Sequence, residues 1–277
     1  MSDITVEELL TYIVARYLKD EEVGFVGIGT GGPAFILAVG IPIAAARLAM
    51  YTHAPNFVLM QGPVIDPDLD FFRKSTMDIH VIGWKCKSQI PCDYALDIFK
   101  RGKMDVGFVS GAQVDKYGNL NIVSIGDYHK PKIRLVGCLA QSDHCAHAGR
   151  TFIMMKHEKR RFVEKVDVIS GAGFLDGKGA REKTGLKGGG PGKVFTDLAV
   201  LSFDEESKRM KLDSVHPGVT IEGVKENTGF ELLIPDDVIE TPKPSSKELS
   251  LIRNSVDPNG ELLKGKMGGH PATSING

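Results

Sequence analysis

Apolar and polar positions along the chain predict a series of short strands and amphipathic helices. Residues 5–18 predict a helix, because apolar residues recur at helical spacing and Thr5 with Glu8 can form a capping box. Short apolar runs predict buried strands at 23–28, 57–60, 79–83, 106–109, 151–155 and 166–170. Further helices are predicted at 42–52, 90–101, 220–227 and 245–255, and a meander of short strands at 194–212.

The segment 107–137, GFVSGAQVDKYGNLNIVSIGDYHKPKIRLVG, gathers the most polar chemistry in the chain. Its apolar parts predict strands at 106–109, 121–125 and 133–136, and glycine, acid, amide, His and Lys residues lie at the strand ends. Glycine allows tight turns and close approach of the backbone to a ligand, whereas Asp and Asn close turns through local hydrogen bonds. Ligands of α/β sheets bind at the carboxyl ends of strands, so these ends are candidate binding positions.

Composition places the chain among ordinary globular proteins. It has 277 residues, of which 42% are hydrophobic and 25% are charged, and its net charge is −1. This balance gives no general attraction to nucleic acid or membrane. There are 4 cysteines, and no signal peptide is visible, so we expect a cytoplasmic protein with reduced thiols.

The length suits one large domain or two small ones, and no repeat or clear linker interrupts the chain. We therefore predict a single domain over residues 1–258. Residues 259–277 are polar and rich in glycine, so we expect a disordered tail there.

A glycine-rich loop, GIGTGG, follows the first predicted strand at residues 27–32. Gly27, Gly29 and Gly32 match the dinucleotide pattern G-x-G-x-x-G, which needs an acid at the end of the next strand. Gln61 stands there instead, so a nicotinamide cofactor is disfavoured. Two interpretations remain: a tight loop packed on a neighbouring strand, or backbone amides that face an acyl group or its oxyanion.

Three further segments have a structural and a functional interpretation. Residues 138–147 hold two Cys and two His without a C-x₂-C pair, so a loop lining the site is favoured over a metal centre. Residues 156–161 are a basic run, either a solvated surface or a grip for phosphate. Residues 171–192 are rich in glycine but lack the Walker pattern, which favours a lid or a mobile segment.

Several blocks resemble the β subunit of glutaconate-type class I coenzyme A transferases. The block GAQVDKYGN followed by SIGDYHKPK carries the resemblance, within residues 111–132. Further similar blocks lie at 153–162, 196–197, 226–230, 251–253 and 257–258. The resemblance implies an α/β fold with an open, mostly parallel sheet and helices on both sides. It also implies a hetero-oligomer with a homologous α subunit, and coenzyme A thioesters and small carboxylic acids as substrates rather than a bound cofactor.

The resemblance draws attention to Gln61, which stands where the family has its nucleophile. Class I transferases use a glutamate that attacks the thioester, and the matching position of this chain is Gln61, followed by Gly62. An amide is a poor nucleophile, although it can donate and accept hydrogen bonds. The nearest carboxylates, Asp66, Asp68 and Asp70, lack the expected context.

Several functions stay open on this basis. The first is coenzyme A transfer between carboxylic acids. The second is a divergent reaction, either hydrolysis of a C–C bond in an acyl-CoA or its decarboxylation. The third is a non-catalytic binding subunit. The ligand contacts that we predict, besides Gln61 near the acyl carbonyl, are Gly29, Gly31, Gly111, Gln113, Asp115, Asn119 and Gly137.

Overall fold

The computed structural model describes residues 4–27, 33–71 and 79–265. Contacts within the chain divide it into two compact units, which are described separately: Met1–Ala95 with Pro242–Gly277, and Leu96–Thr241. The single domain over residues 1–258 stays a prediction. Among the described residues, no helix combines the length and the apolar character needed to cross a membrane.

Most helices are short. The α-helices are α1 (Val6–Ala15), α2 (Pro33–Phe35), α3 (Ile41–Thr52), α4 (Ile79–Ile82), α5 (Cys92–Lys100), α6 (Gln141–His147), α7 (Ala180–Lys183), α8 (Ile221–Glu226) and α9 (Ser246–Leu251). A π-helical segment, Ile36–Gly40, leads into α3, and a second, Ile252–Val256, follows α9. Thr5 and Ser245 cap α1 and α9 through the capping boxes that the sequence predicts.

The first unit contains the strands β1 (Val23–Val26), β2 (Val58–Gln61), β3 (Val64–Pro67) and β4 (Cys86–Gln89), which lie side by side in that order. Strands β1 and β2 are parallel, and their register places Val26 opposite Gln61. Strands β3 and β4 continue the sheet in antiparallel pairs. The parallel register brings Gly27, which follows β1, and Gln61 at the end of β2 to the same edge of the sheet.

The second unit contains the strands β5 (Val106–Val109), β6 (Gln113–Val114), β7 (Leu120–Asn121), β8 (Ser124–Ile125), β9 (Ile133–Arg134), β10 (Arg150–Met154), β11 (Pro191–Phe195), β12 (Ala199–Phe203), β13 (Met210–Val215) and β14 (Ile239–Glu240). Strand β10 pairs in parallel with both β5 and β11. Strands β11, β12 and β13 form the predicted antiparallel meander, which the parallel strand β14 extends. Two small antiparallel pairs, β6–β7 and β8–β9, stand beside this sheet.

Apolar side chains from the sheet and from the segments beside it form the core of the second unit. Val109, Ile153, Phe162 and Leu201 belong to this core and are buried. Burial of such side chains is the main favourable term in folding, at roughly 1.5–3 kcal/mol for each large aliphatic or aromatic residue. The core therefore fixes the ends of β5 and β10, where the polar loops begin.

Two predicted strands are wrong. Residues 79–82 form helix α4, because a run of a few apolar residues does not distinguish a helix from a strand. Residues 166–170 form no strand; instead, the backbone N–H groups of Ser170 and Gly171 donate to the oxygen of Leu120. The segment therefore contacts the polar loops rather than the sheet.

The tail predicted over residues 259–277 begins as packed chain. Leu262 is fully buried, and the carboxylate of Asp257 accepts the backbone N–H groups of Glu261, Leu262 and Leu263. Residues 266–277 lie outside the described residues, so the predicted disorder applies to a part of the chain that the structure does not describe.

Candidate functional site

Gln61 ends strand β2, and its side chain is fully buried. Its Nε2 atom donates a hydrogen bond to the backbone oxygen of Gly27 at 2.6 Å, across the parallel register of β1 and β2. Its Oε1 atom has no hydrogen-bond partner within the described residues. The end of β2 therefore presents a neutral amide that is held by one bond and keeps an open acceptor.

Gly62 follows Gln61 with a φ of 56°, a conformation that glycine adopts without steric cost. Its backbone N–H donates to the oxygen of Val26, which fixes the turn after β2. Gly29 and Gly31 lie in the part of the loop outside the described residues, so the ligand contacts predicted for them stay predictions.

The three carboxylates that follow β2 are engaged in ion pairs. The pairs are Asp66 with Lys87, Asp68 with Lys85, and Asp70 with Arg47. Asp66 also accepts the backbone N–H of Leu59 at 3.0 Å. Each of these carboxylates therefore has a cationic partner within the first unit.

In the second unit, Gln113 is the centre of a buried hydrogen-bond network. Its Nε2 donates to Asp167 at 3.0 Å, and its Oε1 accepts from Asn121 Nδ2 at 2.7 Å and from the backbone N–H of Asp167 at 3.1 Å. Asn121 also donates to the oxygen of Ser124, and Asp167 accepts the N–H of Gly126. The Gln113 side chain therefore holds the start of β8.

Asp115 and Asn119 close the turn between β6 and β7. The Asp115 carboxylate accepts the backbone N–H groups of Tyr117 and Asn119 and the Asn119 side-chain amide. Asn119 in turn donates to the oxygen of Leu175 and accepts the N–H groups of Gly173 and Leu175. Burial raises the pKa of Asp115 above its ordinary value, although these hydrogen bonds act in the opposite direction.

Two glycines predicted as ligand contacts have structural roles. A Cβ atom on Gly111 would lie 3.1 Å from the oxygen of Gln113 and 3.3 Å from that of Asn121. Gly137 adopts a φ of 90° and donates its N–H to the oxygen of Ile122. Gly111 therefore permits close packing, and Gly137 permits the backbone conformation that ends the segment after β9.

Sequence patterns did not identify Asp167, Ser170 and Gln141 as partners of these loops. Gln141 Nε2 donates to the oxygen of Ser110, and its Oε1 lies 2.7 Å from the hydroxyl of Ser170. Ser170 also accepts the N–H of Ile122. These contacts join residues that are far apart in the chain, so local sequence offers no sign of them.

Residues 141–147 of the Cys and His segment form helix α6. Burial raises the pKa of the Cys145 thiol to about 12, so this thiol is a poor nucleophile and a poor metal ligand. Across residues 4–27, 33–71 and 79–265, no group of three or more His, Cys, Asp or Glu side chains is arranged to hold a metal ion.

The structure brings the predicted residues of the second unit into two internal networks, one around Gln113 and one around Asp115 and Asn119. Gln61 belongs to the first unit. The ligand contacts predicted for all these residues stay predictions.

Comparison with known proteins relates this chain to enzymes that act with coenzyme A. A family model described as Coenzyme A transferase matches residues 86–227. The chain is 34% identical over 270 residues to the B subunit of glutaconate CoA-transferase from Acidaminococcus fermentans, which covers 95% of this chain and 96% of the relative. It is 33% identical over 279 residues to the B subunit of 3-oxoadipate CoA-transferase from Pseudomonas knackmussii, which covers 97% and 99%.

A relative of different activity is also similar. The cholesterol ring-cleaving hydrolase IpdB subunit of Mycobacterium tuberculosis is 32% identical over 215 residues, covering 77% of this chain and 82% of the relative. The solved structure of glutaconate coenzyme A-transferase from Acidaminococcus fermentans matches with a TM-score of 0.80 at 33% identity, covering 95% of this chain and 98% of that chain. This match confirms the predicted fold class, an open, mostly parallel α/β sheet with helices. The chain belongs to the coenzyme A transferase family.

Proposed function

We propose that the chain is the β subunit of a hetero-oligomeric enzyme that acts on acyl-CoA thioesters together with a homologous α subunit. The reaction that we propose is glutaconate-type transfer of coenzyme A between carboxylic acids. The observation that carries the proposal is the similarity, over 95% and 97% of this chain, to the B subunits of two CoA-transferases. No bound cofactor is part of the proposal, since coenzyme A enters as the thioester substrate.

Transfer requires a carboxylate nucleophile. The carboxylate attacks the thioester carbonyl, which releases the coenzyme A thiolate and leaves a mixed anhydride. The thiolate then attacks the enzyme's carbonyl, which releases the carboxylic acid and forms an enzyme thioester. A second carboxylic acid reverses both steps and leaves as the new acyl-CoA.

Gln61 favours a second candidate function. If Gln61 occupies the nucleophile position, as the resemblance implies, its buried amide cannot form the anhydride. A divergent enzyme would then consume water or release carbon dioxide, with acid–base groups from the α subunit. Gln61 Oε1, which is open within the described residues, would accept a hydrogen bond from water or substrate. The similarity to a ring-cleaving hydrolase subunit supports this candidate.

Gly29 and Gly31, through their backbones, remain part of the proposed binding site, as do Gly111, Gln113, Asp115, Asn119 and Gly137 around the strand ends. The side chains of Gln113, Asp115 and Asn119 are occupied within the chain. Their proposed contribution is therefore the shape of the binding loops.

An intact-mass experiment distinguishes the two functions. The chain is co-expressed with its α subunit, incubated with a panel of acyl-CoAs, and treated with borohydride, which reduces an enzyme thioester to a stable product of lower mass. A mass change on this chain would establish transfer with a carboxylate here. A change on the α subunit alone would keep transfer but move the nucleophile. Consumption of acyl-CoA without any label would establish the hydrolase or decarboxylase function.

A pair of variants tests the position of Gln61. If this residue occupies the nucleophile position, Gln61→Glu should acquire a borohydride-dependent label that peptide mapping places at residue 61. Asp66→Asn is the control, because Asp66 is paired with Lys87 and should not change the labelling. If the chain with Gln61 carries a label and Asp66→Asn loses it, Asp66 is the nucleophile and the alignment with the family is displaced.

A further inference from the structure

We infer that residues 124–140, which comprise the β8–β9 hairpin and the segment after it, form the surface that binds the homologous α subunit. We call these residues the docking hairpin. The inference rests on the proposed function, because it names the place where the proposed partner binds.

Large apolar side chains are exposed along the docking hairpin. Tyr128 is 52% exposed, Ile133 54%, Val136 72% and Leu139 91%. Single exposed apolar residues are common on protein surfaces, whereas a group of them within a short segment marks an interaction site. Burial of these side chains by a partner would contribute favourable free energy that the free subunit lacks.

The hairpin projects with little support from other strands. Strands β8 and β9 pair with each other and with no other described strand. Backbone hydrogen bonds continue the pairing, from Leu135 to Val123 and from Gly137 to Ile122. An isolated two-stranded hairpin is marginal in water, so a partner that covers it would stabilise it.

The buried network of the second unit fixes the base of this hairpin. Asn121 accepts the N–H groups of Val123 and Ser124, and Asp167 accepts the N–H of Gly126. The base of the docking hairpin is thus held in place before a partner binds, which lowers the entropic cost of binding. This arrangement also gives a role to the block SIGDYHKPK, most of which is exposed.

The charge of the docking hairpin indicates the partner's chemistry. Lys130, Lys132 and Arg134 are exposed and form no ion pair with a described acid. The carboxylate of Asp127 accepts the backbone N–H groups of His129 and Lys130 and so closes the turn. A second copy of this chain would bring the same cations face to face. The surface therefore fits an apolar patch with an acidic rim on a different subunit.

The test compares matched substitutions in the full chain, each mixed with the wild-type α subunit. Ile133→Asp and Leu139→Asp place a charge on the hairpin, whereas Ile239→Asp does so on β14, where Ile239 is 57% exposed. The dissociation constant of the complex is measured by titration, and its mass by native mass spectrometry. Thermal unfolding of each isolated chain shows that the variants are folded.

We expect the two hairpin variants to raise the dissociation constant by at least about 10-fold and Ile239→Asp to change it by less than about 3-fold. Lys130→Glu with Lys132→Glu should weaken association as well, and most at low salt. Folded hairpin variants that bind the α subunit as tightly as wild type would overturn the inference.

Other occupants would give different results. If the hairpin variants lose the mass of a homodimer while the hetero-oligomer persists, a second copy of this chain binds the docking hairpin, and the inference is overturned. Normal assembly with a raised KM for acyl-CoA would show that the hairpin binds the nucleotide, and this also overturns the inference. If the wild-type chain and the α subunit form no complex at all, the proposed function fails. If all variants assemble equally well, the proposed function stands and only the inference about the docking hairpin is overturned.

Discussion

Arg181 organises the glycine-rich segment that the sequence predicts to be a lid or a mobile loop. It is 4% exposed, and its guanidinium donates hydrogen bonds to the backbone oxygens of Cys145, Ala172, Gly173 and Gly188. The burial lowers the pKa of Arg181 from its ordinary value. The planar guanidinium of Arg181 thus supplies hydrogen-bond donors to backbone carbonyl groups of the glycine-rich segment, which has little secondary structure of its own.

We predict that Arg181→Lys destabilises the chain by about 2–4 kcal/mol, because an ammonium group cannot reproduce the planar fork of donors and leaves buried carbonyls unpaired. Urea unfolding measures the change. Arg160→Lys is the matched control and should cost less than about 0.5 kcal/mol, since the Arg160 side chain is 77% exposed. An equal effect of both substitutions would contradict the role of Arg181.

Asn119 provides a second residue-scale prediction. Its side chain is 2% exposed and bonds to Asp115, Gly173 and Leu175, so Asn119→Ala should cost about 2–4 kcal/mol in urea unfolding. In the assembled enzyme at low temperature, the KM for acyl-CoA should change by less than about 3-fold. Asn254→Ala, at an exposed position, serves as the control and should leave stability unchanged. A large rise in KM with normal stability would make Asn119 a direct ligand contact.

At the scale of elements, Asp167 controls the base of the docking hairpin. It accepts from Gln113 and from the N–H of Gly126, so Asp167→Ala should loosen β8 and β9 without unfolding the unit. We expect amide hydrogen exchange in residues 124–135 to become at least about 10-fold faster. Asp127→Ala is the control, since its carboxylate bonds to the backbone N–H groups of His129 and Lys130, and it should speed exchange at those two amides alone. Unchanged exchange in Asp167→Ala would show that the hairpin is held by its own strand pairing.

Elements whose ends depend on local chemistry could be predicted from the sequence. The capping boxes at Thr5 and Ser245 involve residues three positions apart, so both helix starts were predicted correctly. Helix α4 lies where the sequence predicts a strand, because its four residues are too few to show a helical period. Before α3, the nearly uniform apolar sequence leaves open a loop or a short separate turn of helix, and the structure has a π-helical segment there.

In the candidate site, too, some features follow from the local sequence and others do not. The position of Gln61 at the end of β2 follows from the apolar run before it, and the turn at Asp115 follows from its composition. The partners of Gln113 and Asn119 could not be predicted, because Asp167 and Leu175 lie more than 50 positions away in the chain. The sequence alone shows no partner for these polar side chains, whereas the fold gives them hydrogen-bond partners from distant parts of the chain.

At the scale of the whole molecule, buried histidines make stability depend on pH. Burial lowers the pKa of His144 to about 4, and this residue stacks on Phe99. Burial, with a smaller contribution from His216, lowers the pKa of His157 to about 4 as well. His157 Nε2 lies 3.0 Å from the hydroxyl of Thr228, and its Nδ1 lies 3.1 Å from the hydroxyl of Thr196.

Both histidines stay neutral in the folded chain over a range where the unfolded chain is protonated. The ordinary histidine pKa is 6.5 and the folded value is about 4, so the unfolded state takes up more protons between these limits. Stability is therefore complete above pH 6.5, falls as the pH drops toward 4, and levels off below the folded pKa. Glu8, whose pKa is lowered mainly by its hydrogen bond to Arg253, adds a loss at still lower pH.

We predict that the free energy of unfolding falls by about 2 kcal/mol for each of the two histidines between about pH 7 and pH 5. Urea unfolding at half-unit pH intervals measures this slope. His157→Gln should remove about 2 kcal/mol of it, because the amide can bond to Thr228 without binding a proton, although the variant is less stable at every pH. His144 and His216, whose pKa values burial also lowers, keep the rest of the slope. His129→Gln, on the exposed hairpin, should keep the full slope. An unchanged slope of the free energy of unfolding in His157→Gln would contradict the prediction. Proton uptake by other groups would then explain the acid sensitivity, and His157 would be only a packing residue.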